Sequence, residues 1–290
     1  MKIGFIGAGK VGCSLGKYFA INNLSLSGYY SKSFHSSKQA SDFTNSKAHI
    51  SLKSLVKSSN IIFITTPDDD IENVWKDVRE LNIKDKIICH TSGSLSSNIF
   101  SDINISGAFG YSIHPMYPFC DKFNSFNLNN VHFSIEGNVK HITFIKNLIN
   151  SLGNTVHIID GDKKYLYHLS NVMASNLVLA ILNTSCEYLK KLGMSTTDCI
   201  DALMPLIFSN INNIKNNKDF IKSLTGPIER CDINTVSNHL KVIPKEDIAL
   251  YKTLSLKLLN LSEIKHSQRD YSKLYSILGG IKNEKNNTKL

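Results

Sequence analysis

The stretch that decides the fold opens the sequence: residues 1–17 read MKIGFIGAGKVGCSLGK. An apolar run, Ile3 to Ile6, precedes a glycine-rich turn and then apolar residues at helical spacing, which predicts strand, tight turn and helix. The glycines follow the pattern Gly-x-Gly-x-x-Gly, in which they permit the turn, admit a pyrophosphate and pack the helix against the strand. The same spacing also arises by chance in a strand, turn and helix that hold no ligand. The residues that we expect to hold the diphosphate of a dinucleotide are Gly7, Gly9, Lys10, Val11 and Gly12.

The end of the second predicted strand, Leu24 to Tyr30, indicates which dinucleotide binds. An NAD site usually places an acid about 20 residues beyond the glycines to accept from the ribose 2′-hydroxyl, whereas a 2′-phosphate needs cations and hydroxyl donors. No acid occurs from Leu24 through Ala40, and the strand is followed by Ser31, Lys32 and Ser33. These three residues are predicted to bind the 2′-phosphate, which favours NADPH over NADH. The structural alternative is a solvated Ser/Lys turn.

Length and composition are those of a globular protein with one large or two medium domains: 290 residues, 42% hydrophobic and 20% charged. No stretch approaches about 18 uninterrupted apolar residues and the first strand begins at once, so we expect a cytoplasmic protein with no membrane span and no leader. The six cysteines lie far apart without a C-x-x-C pair, which predicts reduced thiols and no metal site.

The basic residues are scattered, although the formal net charge is +9. The longest basic runs are Lys163-Lys164 and Lys190-Lys191, a pattern that argues against a nucleic-acid partner. A modest positive field would help to gather an anionic cofactor and a small anionic substrate, and simple solubility explains the charge equally well.

Strands alternate with helices through the first half of the chain. Five further strands are predicted, at residues 60–66, 86–90, 108–113, 131–136 and 155–159. This alternation predicts an α/β fold with a doubly wound, Rossmann-type parallel sheet, in which ligands bind at the carboxyl ends of strands. We therefore expect Thr66, Pro67 and Ser92 to contact the cofactor. His114 precedes a rigid proline turn and is expected to contact substrate or carboxamide, or else to be a hydrogen-bonded structural histidine.

Three consecutive aspartates, residues 68–70, follow the predicted strand at 60–66. They precede an amphipathic helical pattern, where acids complement the helix dipole and cap its first turn. We expect capping rather than catalysis from them.

The second half of the chain predicts an all-α domain. Residues 163–192 contain no proline or glycine and predict one long, largely buried helix that ends at Gly193. Further helices are predicted at residues 196–213, 233–241, 245–261 and 271–278, and the polar tail at 282–290 is expected to fray. The expected domains are 1–160, which binds NADP, and 161–290, which is helical. The long apolar helices after Gly193 suit a homodimer interface as readily as an intramolecular core.

The long helix carries the candidate catalytic residues. Lys164 and His168 lie four residues apart and project from one face, with Asn171 near the same stripe. On a straight helix Asn176 is rotated by about 80° from His168 and lies about 12 Å further along the axis, so it cannot share one small contact with Lys164. A lysine ammonium can stabilise and protonate the alkoxide formed when a carbonyl is reduced, while histidine or asparagine orients the carbonyl. The alternative is an exposed helix start rich in Lys and Tyr.

A second group of polar residues lies in the segment Leu224-Thr225-Gly226-Pro227-Ile228-Glu229-Arg230-Cys231-Asp232. Gly-Pro fixes a turn between helices, and Thr225 and Arg230 are candidates for binding a substrate carboxylate, Arg230 through its planar fork. The alternative is a capped turn in which Asp232 caps the next helix and Arg230 pairs with an acid.

Taken together, these motifs resemble a known family. The stretches that carry the likeness are the glycine pattern, Ser112-x-His114-Pro115, Lys164-x-x-Tyr167-His168, Ser175-Asn176, Leu224-Thr225-Gly226-Pro227-Ile228-x-Arg230-x-Asp232 and His239-Leu240. From its first residue to about Leu261 the chain is similar to the two-domain proteins in which a Rossmann-like domain precedes a DUF2520 domain. The resemblance implies a 6-phosphogluconate-dehydrogenase-like layout, shared with ketopantoate reductases, pyrroline-5-carboxylate reductases and hydroxyisobutyrate dehydrogenases.

The resemblance also implies roles for particular residues. Lys164 takes the place of the lysine that those dehydrogenases keep at the start of the interdomain helix, and His168 stands where many of them have asparagine. Asn176 is a candidate substrate-binding residue because it matches the asparagine of the family's Ser-Asn motif. Cys231 stands where the family commonly has glycine before the aspartate, so the local backbone is expected to differ there.

The resulting hypothesis is an NADPH-dependent reductase of a small 2-oxo acid. Some members of the family are an alternative class of ketopantoate reductase, so the resemblance implies reduction of 2-dehydropantoate to pantoate for pantothenate synthesis. Lys164 would donate the proton with His168 assisting, and Thr225 and Arg230 would hold the carboxylate. Two alternatives stay open: an oxidoreductase that reduces an imine or a deazaflavin on the same scaffold, and a regulator that senses NADP without turnover.

Overall fold

The computed structural model describes residues 1–123 and 128–280 of the chain. Its first half is built on one seven-stranded sheet with the order β2-β1-β3-β4-β5-β6-β7. The strands are β1 Ile3–Ile6, β2 Leu26–Tyr30, β3 Ile61–Ile64, β4 Ile87–His90, β5 Phe109–Pro115, β6 His132–Gly137 and β7 Thr155–Ile158. β1 pairs in parallel with β2 on one side and with β3 on the other, so the strand order reverses at β1. Sheets of this kind bind ligands at that point, and the predicted doubly wound fold is confirmed.

One pairing departs from the predicted parallel sheet. β6 runs antiparallel to β5, with His114 opposite Ser134, and β7 then pairs in parallel with β6. A parallel neighbour needs a crossover of a dozen or more residues, usually a helix. The described part of the connection, residues 116–123 and 128–131, contains no helix. The described residues of this connection therefore supply no crossover helix for a parallel return.

Both faces of the sheet are covered by helices. On one face Phe5 and Phe63 pack against α1 Lys10–Ile21 and α5 Val139–Asn150. On the other face the adjacent residues of the same strands, such as Ile62 and Ile64, pack against α3 Leu52–Ser58 and α4 Asp68–Arg79. Trp75 of α4 is fully buried there. Because successive strand residues point to opposite faces and both faces are buried, the central strands β1 and β3 contain no polar side chain. The remaining helix of this region, α2 Phe34–Thr44, follows β2.

The chain divides into two compact units, Met1–Ile181 and Leu182–Leu290. The first unit extends beyond the predicted domain end at residue 160, because Lys164 at the start of α6 Lys164–Ala174 is hydrogen-bonded to the ends of β4 and β5. The second unit has its own core, formed by residues such as Ile228, Val236 and Leu274.

The second half is helical, as predicted. After α6 and α7 Asn176–Lys191 the helices are α8 Thr196–Asn217, α9 Phe220–Ser223, α10 Pro227–Arg230, α11 Ile233–Val242, α12 Ile248–Lys265 and α13 Ser272–Leu278. Short 3-10 turns occur at Ser97–Ile99, Gly161–Lys163 and Lys245–Asp247. The tail that was expected to fray, residues 282–290, lies outside the described residues.

The prediction of one buried helix over residues 163–192 is wrong in two respects. The helix breaks at Ser175, which has φ −125° and ψ −78° and separates α6 from α7. The Ser175 hydroxyl donates to the carbonyl of Asn171 at 2.7 Å, a back-bond that competes with regular helical structure. The apolar residues of the helix pair are also exposed rather than buried, among them Leu166, Leu169, Met173, Leu177 and Leu179.

The stretch Gly161–Lys191 is the one helical segment, among the residues described, that is long and apolar enough to cross a membrane. A single segment of this kind is weak evidence for a membrane span, because core and interface helices of globular proteins can share that composition.

Candidate active site

The glycine turn after β1 has the geometry of a diphosphate cradle. Gly7 has φ +102°, a conformation that residues with a side chain rarely adopt. A Cβ atom at Gly12 would stand 2.5 Å from Thr65 Oγ1 and 2.7 Å from the Gly7 carbonyl oxygen, whereas one at Gly9 would meet nothing within 4 Å. Helix α1 begins at Lys10 without a side-chain cap, so its first amide groups are available to an anion. The space beside Gly9 therefore fits a dinucleotide diphosphate.

The predicted 2′-phosphate residues lie between β2 and α2. Ser33 caps α2, because its hydroxyl accepts from the amide of Ser36, and Ser31 is partly exposed. The Lys32 side chain is 85% exposed, and its Nζ atom lies 3.6 Å from Asp70 Oδ1. Sequence reasoning found no acid near Lys32 along the chain and did not foresee that α4 brings one.

The turn after β3 joins the cradle to the end of β4. Pro67 is the residue before α4, and the buried Thr66 hydroxyl has no hydrogen-bond partner in the described part of the chain. Asp68 lies in the first turn of α4, as predicted, but one of its carboxylate oxygens also accepts from Ser92 Oγ at 2.7 Å and from Ser94 Oγ at 3.0 Å. The Thr66 hydroxyl, which lacks a partner among the described residues, and the loop after β4, which is hydrogen-bonded to Asp68, thus lie at the carboxyl edge of the sheet, where the cofactor is expected.

Lys164 lies at the carboxyl ends of β4 and β5. Its side chain is 1% exposed, and Nζ donates to the Ser92 carbonyl at 2.9 Å and to Ser112 Oγ at 2.7 Å. Burial lowers the pKa of Lys164 to about 8, against the opposing effect of Glu136 and Asp68. The ammonium is therefore directed at the strand ends and not at bulk water, which removes the alternative of an exposed helix start.

His114 and His168 meet above Gly93, in the loop after β4. A Cβ atom at Gly93 would stand 2.8 Å from His168 Cδ2 and 2.9 Å from His114 Nε2, so only glycine leaves both rings in place. His114 Nδ1 is hydrogen-bonded to the Tyr167 hydroxyl at 2.7 Å. Burial is the first cause that lowers the pKa of His114 to about 3, and the charges of Lys164 and His168 add to it, so His114 is neutral.

These histidines open onto a cavity of about 500 Å³. Its lining includes His114, Met116, Tyr117, Phe119, His168, Asn171 and Asn176. Both asparagines reach the cavity because the helix breaks between them at Ser175. Asn176 thus lines the same cavity as His168 and Asn171, while the expectation that it shares no small contact with Lys164 stays a prediction. The lining residues do not include Lys164.

The predicted carboxylate-binding residues belong to the second unit. Both are exposed: Thr225 precedes the short helix α10, and Arg230 is its last residue. Asp232 accepts from the amide of Thr235 at 3.0 Å, so the predicted cap of the next helix is confirmed. Cys231 has φ +61°, the left-handed conformation that a glycine adopts without strain.

Glu229 holds this turn in place within the second unit through contacts that the sequence did not predict. The Glu229 carboxylate is bonded to His266 Nε2 at 2.5 Å and paired with Lys265 at 3.3 Å, and these bonds lower its pKa. The Glu229 carbonyl accepts from Arg269 and Tyr271. Spacing along the sequence gave no signal for these contacts, because about 40 residues separate the partners.

Comparison with known proteins agrees with this architecture. Residues 1–115 match the Rossmann-like domain, and residues 131–258 match DUF2520, a domain of unknown function. No curated protein matches the sequence. Protein TM1727 from Thermotoga maritima is similar in structure, with 25% identity, coverage of 91% of this chain and 99% of that one, and a TM-score of 0.72.

Two further solved structures carry functional descriptions. BF3122 from Bacteroides fragilis, a proposed NADP oxidoreductase, has 21% identity, covers 92% of this chain and 98% of its own, and gives a TM-score of 0.69. A reductive aminase from Aspergillus terreus, in complex with NADPH and ethyl-5-oxohexanoate, has 11% identity, with 95% and 98% coverage and a TM-score of 0.64.

The sheet topology, the glycine turn and these neighbours define a fold class, the one shared by solved NADP oxidoreductases. Within that class, its two matched domains identify the family that the motifs indicated. The chain belongs to the proteins in which a Rossmann-like domain precedes a DUF2520 domain.

Proposed function

We propose that this protein uses NADPH to reduce a small 2-oxo acid, and that this acid is 2-dehydropantoate (ketopantoate), which becomes pantoate in pantothenate and coenzyme A biosynthesis. NADPH supplies a hydride to the carbonyl carbon, the π electron pair of the C=O bond moves to oxygen, and that oxygen takes up one proton, which leaves NADP⁺ and a 2-hydroxy acid. The family resemblance favours ketopantoate among 2-oxo acids.

One observation carries the proposal. The diphosphate cradle follows β1, and the cavity with His114 and His168 lies beside the ends of β4 and β5, so both stand at the carboxyl edge of the same parallel strands. A dinucleotide bound along this edge with its diphosphate at Gly9 would direct its other end toward the cavity. The absence of an acid after β2 favours the 2′-phosphate of NADPH, with Ser31, Lys32 and Ser33 as its ligands.

The residues of the site have distinct proposed roles. Lys164 provides positive charge beside the strand ends and is the proposed proton source, because a pKa of about 8 suits proton donation near neutral pH. His168, Asn171 and Asn176 face the substrate in the cavity. Arg230 and Thr225 are proposed to hold its carboxylate.

A second candidate is reduction of an imine. The cavity lining contains no lysine or arginine among the described residues, which suits a neutral or cationic substrate better than a carboxylate. Solved structures of an imine reductase from Pseudomonas sp. and of the Aspergillus terreus enzymes share the fold.

Oxidation of NADPH, followed by loss of its absorbance, tests both candidates with one panel of 2-oxo acids and cyclic imines. We expect turnover with ketopantoate, and a preference for cyclic imines would move the assignment to the second candidate. If the protein binds NADPH but neither the 2-oxo acids nor the cyclic imines cause its oxidation, the enzyme proposal is contradicted and the protein is an NADP sensor. In Lys164→Ala we expect much lower turnover with nearly unchanged NADPH affinity.

We also propose that the protein is a cytoplasmic homodimer. The apolar side chains that α6 and α7 leave exposed, including Leu166 at 69% and Leu179 at 66%, form a surface that a second copy would cover. A monomer at micromolar concentration in light scattering would contradict this proposal.

A further inference from the structure

Tyr167 belongs to this site, but the proposed reaction gives it no role. Its hydroxyl oxygen lies 2.7 Å from His114 Nδ1, and the two rings meet nearly perpendicular, at 87°. Its ring centroid lies 5.6 Å from Lys164 Nζ. Tyr167 therefore connects α6 to the histidine at the end of β5.

The hydrogen bond with Tyr167 decides where the proton of His114 lies. A neutral imidazole carries one proton, and the bond made by one ring nitrogen fixes which nitrogen holds it. A phenol can donate or accept a hydrogen bond, and burial raises the pKa of Tyr167, so the phenol keeps the proton that it would donate to His114. When the phenol donates to Nδ1, the ring proton is on Nε2. Nε2 is the nitrogen beside Gly93, next to the ring of His168.

The surroundings of His114 keep the ring neutral. Lys164, His168 and His90 oppose its protonation, Asp68 favours it, and burial outweighs them all. A neutral N–H group can stabilise charge that develops on a carbonyl oxygen without first losing a proton. Lys164, the proposed proton source, directs two of its three ammonium N–H groups at the Ser92 carbonyl and Ser112 Oγ and does not line the cavity, whereas His114 does, so the His114 N–H is a separate donor at the cavity wall.

We propose that Tyr167 is a positioning residue that holds His114 in the Nε2–H tautomer, and that His114 donates this N–H to the carbonyl oxygen or imine nitrogen of the substrate. The hydrogen bond stabilises developing charge and transfers no proton, so the proton balance of the reaction is unchanged. The catalytic half of this inference rests on the proposed reductase function, whereas the tautomer is a property of the protein alone.

The tautomer is measured by NMR on the full-length protein with ¹⁵N-labelled histidine and without added substrate. His114→Asn identifies the signals of this ring among the ten histidines. We expect the Nε2–H tautomer in the wild type and a loss of that single form in Tyr167→Phe, which removes only the hydroxyl. Tyr165→Phe, at an exposed tyrosine of the same helix, is the matched control and should leave the His114 signals unchanged. An Nδ1–H tautomer in the wild type, or no change in Tyr167→Phe, overturns the proposal.

Steady-state NADPH oxidation tests the consequence for catalysis. We expect Tyr167→Phe to lower kcat about tenfold, the loss for one neutral hydrogen bond, with KM for NADPH unchanged. His114→Ala should lower kcat by about 10²- to 10³-fold, and His114→Gln, which keeps an N–H donor, should recover part of that loss.

The two tests separate the two proposals. If the NMR shows the Nε2–H tautomer and no substrate is turned over, the positioning role of Tyr167 stands and the reductase function is refuted. If the wild type turns over substrate and Tyr167→Phe is as active as Tyr165→Phe, the function stands and the role of Tyr167 in catalysis is refuted.

Discussion

Replacing Gly9 by alanine separates cofactor binding from folding. The new Cβ atom would meet no heavy atom within 4 Å, and Gly9 has φ −84°, which alanine adopts readily. We therefore expect the free energy of unfolding to change by less than about 1 kcal/mol. The methyl group would occupy the space assigned to the diphosphate, so the anion could no longer approach the first amides of α1.

The expected loss of affinity follows from that displacement. A hydrogen bond between a backbone amide and an anion contributes about 1.5–3 kcal/mol, so loss of one such bond should raise the Kd for NADPH about 10- to 100-fold. Fluorescence titration of NADPH gives the Kd, and urea unfolding without cofactor gives the stability.

Gly12→Ala is the contrasting variant. Its Cβ atom would stand 2.7 Å from the Gly7 carbonyl oxygen, so helix and strand must move apart. We expect this variant to lose about 1–3 kcal/mol of stability together with its affinity. If Gly9→Ala binds NADPH as tightly as the wild type, the diphosphate does not lie at this turn and the assignment of the cradle is wrong.

Three further predictions address the 2′-phosphate, the buried lysine and the exposed helices. Lys32→Ala should weaken NADPH binding about fivefold and leave NADH binding unchanged. Asp70→Asn removes the acid 3.6 Å from Lys32 and should strengthen NADPH binding. Equal effects of either variant on NADPH and NADH binding would contradict the assignment of Lys32 to the 2′-phosphate. The pKa of Lys164 falls from 10.5 in the unfolded chain to about 8 in the folded protein, so the folded protein loses this proton at a lower pH than the unfolded chain. Turnover should therefore decline above about pH 8. Between pH 8 and 10.5 the unfolded chain binds more protons than the folded protein, so the free energy of unfolding should rise by about 3 kcal/mol. Lys164→Met should remove that rise from urea-unfolding curves measured across the pH range, and identical curves for the two proteins would refute the assignment. Leu169→Glu places a charge on the exposed apolar face of α6 and should convert the proposed dimer to monomers in light scattering, while an unchanged mass would place the interface elsewhere.

The fold could be predicted because its signals are local. The glycine turn after Ile6, the apolar strands and the acids that begin α4 each depend on a few neighbouring residues. The antiparallel pairing of β6 could not be foreseen, because strand direction depends on the length and content of the connection after Pro115 rather than on the strand itself. A strand that is buried on both faces has the same apolar sequence pattern whether it pairs in parallel or antiparallel with its neighbour.

The site was predicted only in part. Lys164 and His168 could be found from their spacing on a helix, but the break at Ser175 depends on a side-chain bond that periodicity does not show, and it changes where Asn176 lies. The contacts of Tyr167 with His114 and of Asp68 with Ser92 join residues far apart in sequence. A single sequence carries no signal for such pairs.

The position of bound NADPH is the most direct test of the whole account. A crystal structure of the complex should show the diphosphate on the amides of Lys10 and Val11, the 2′-phosphate beside Lys32, and the nicotinamide ring at the cavity with His114 and His168. A cofactor bound elsewhere, or a nicotinamide directed away from these histidines, would contradict the proposed reductase.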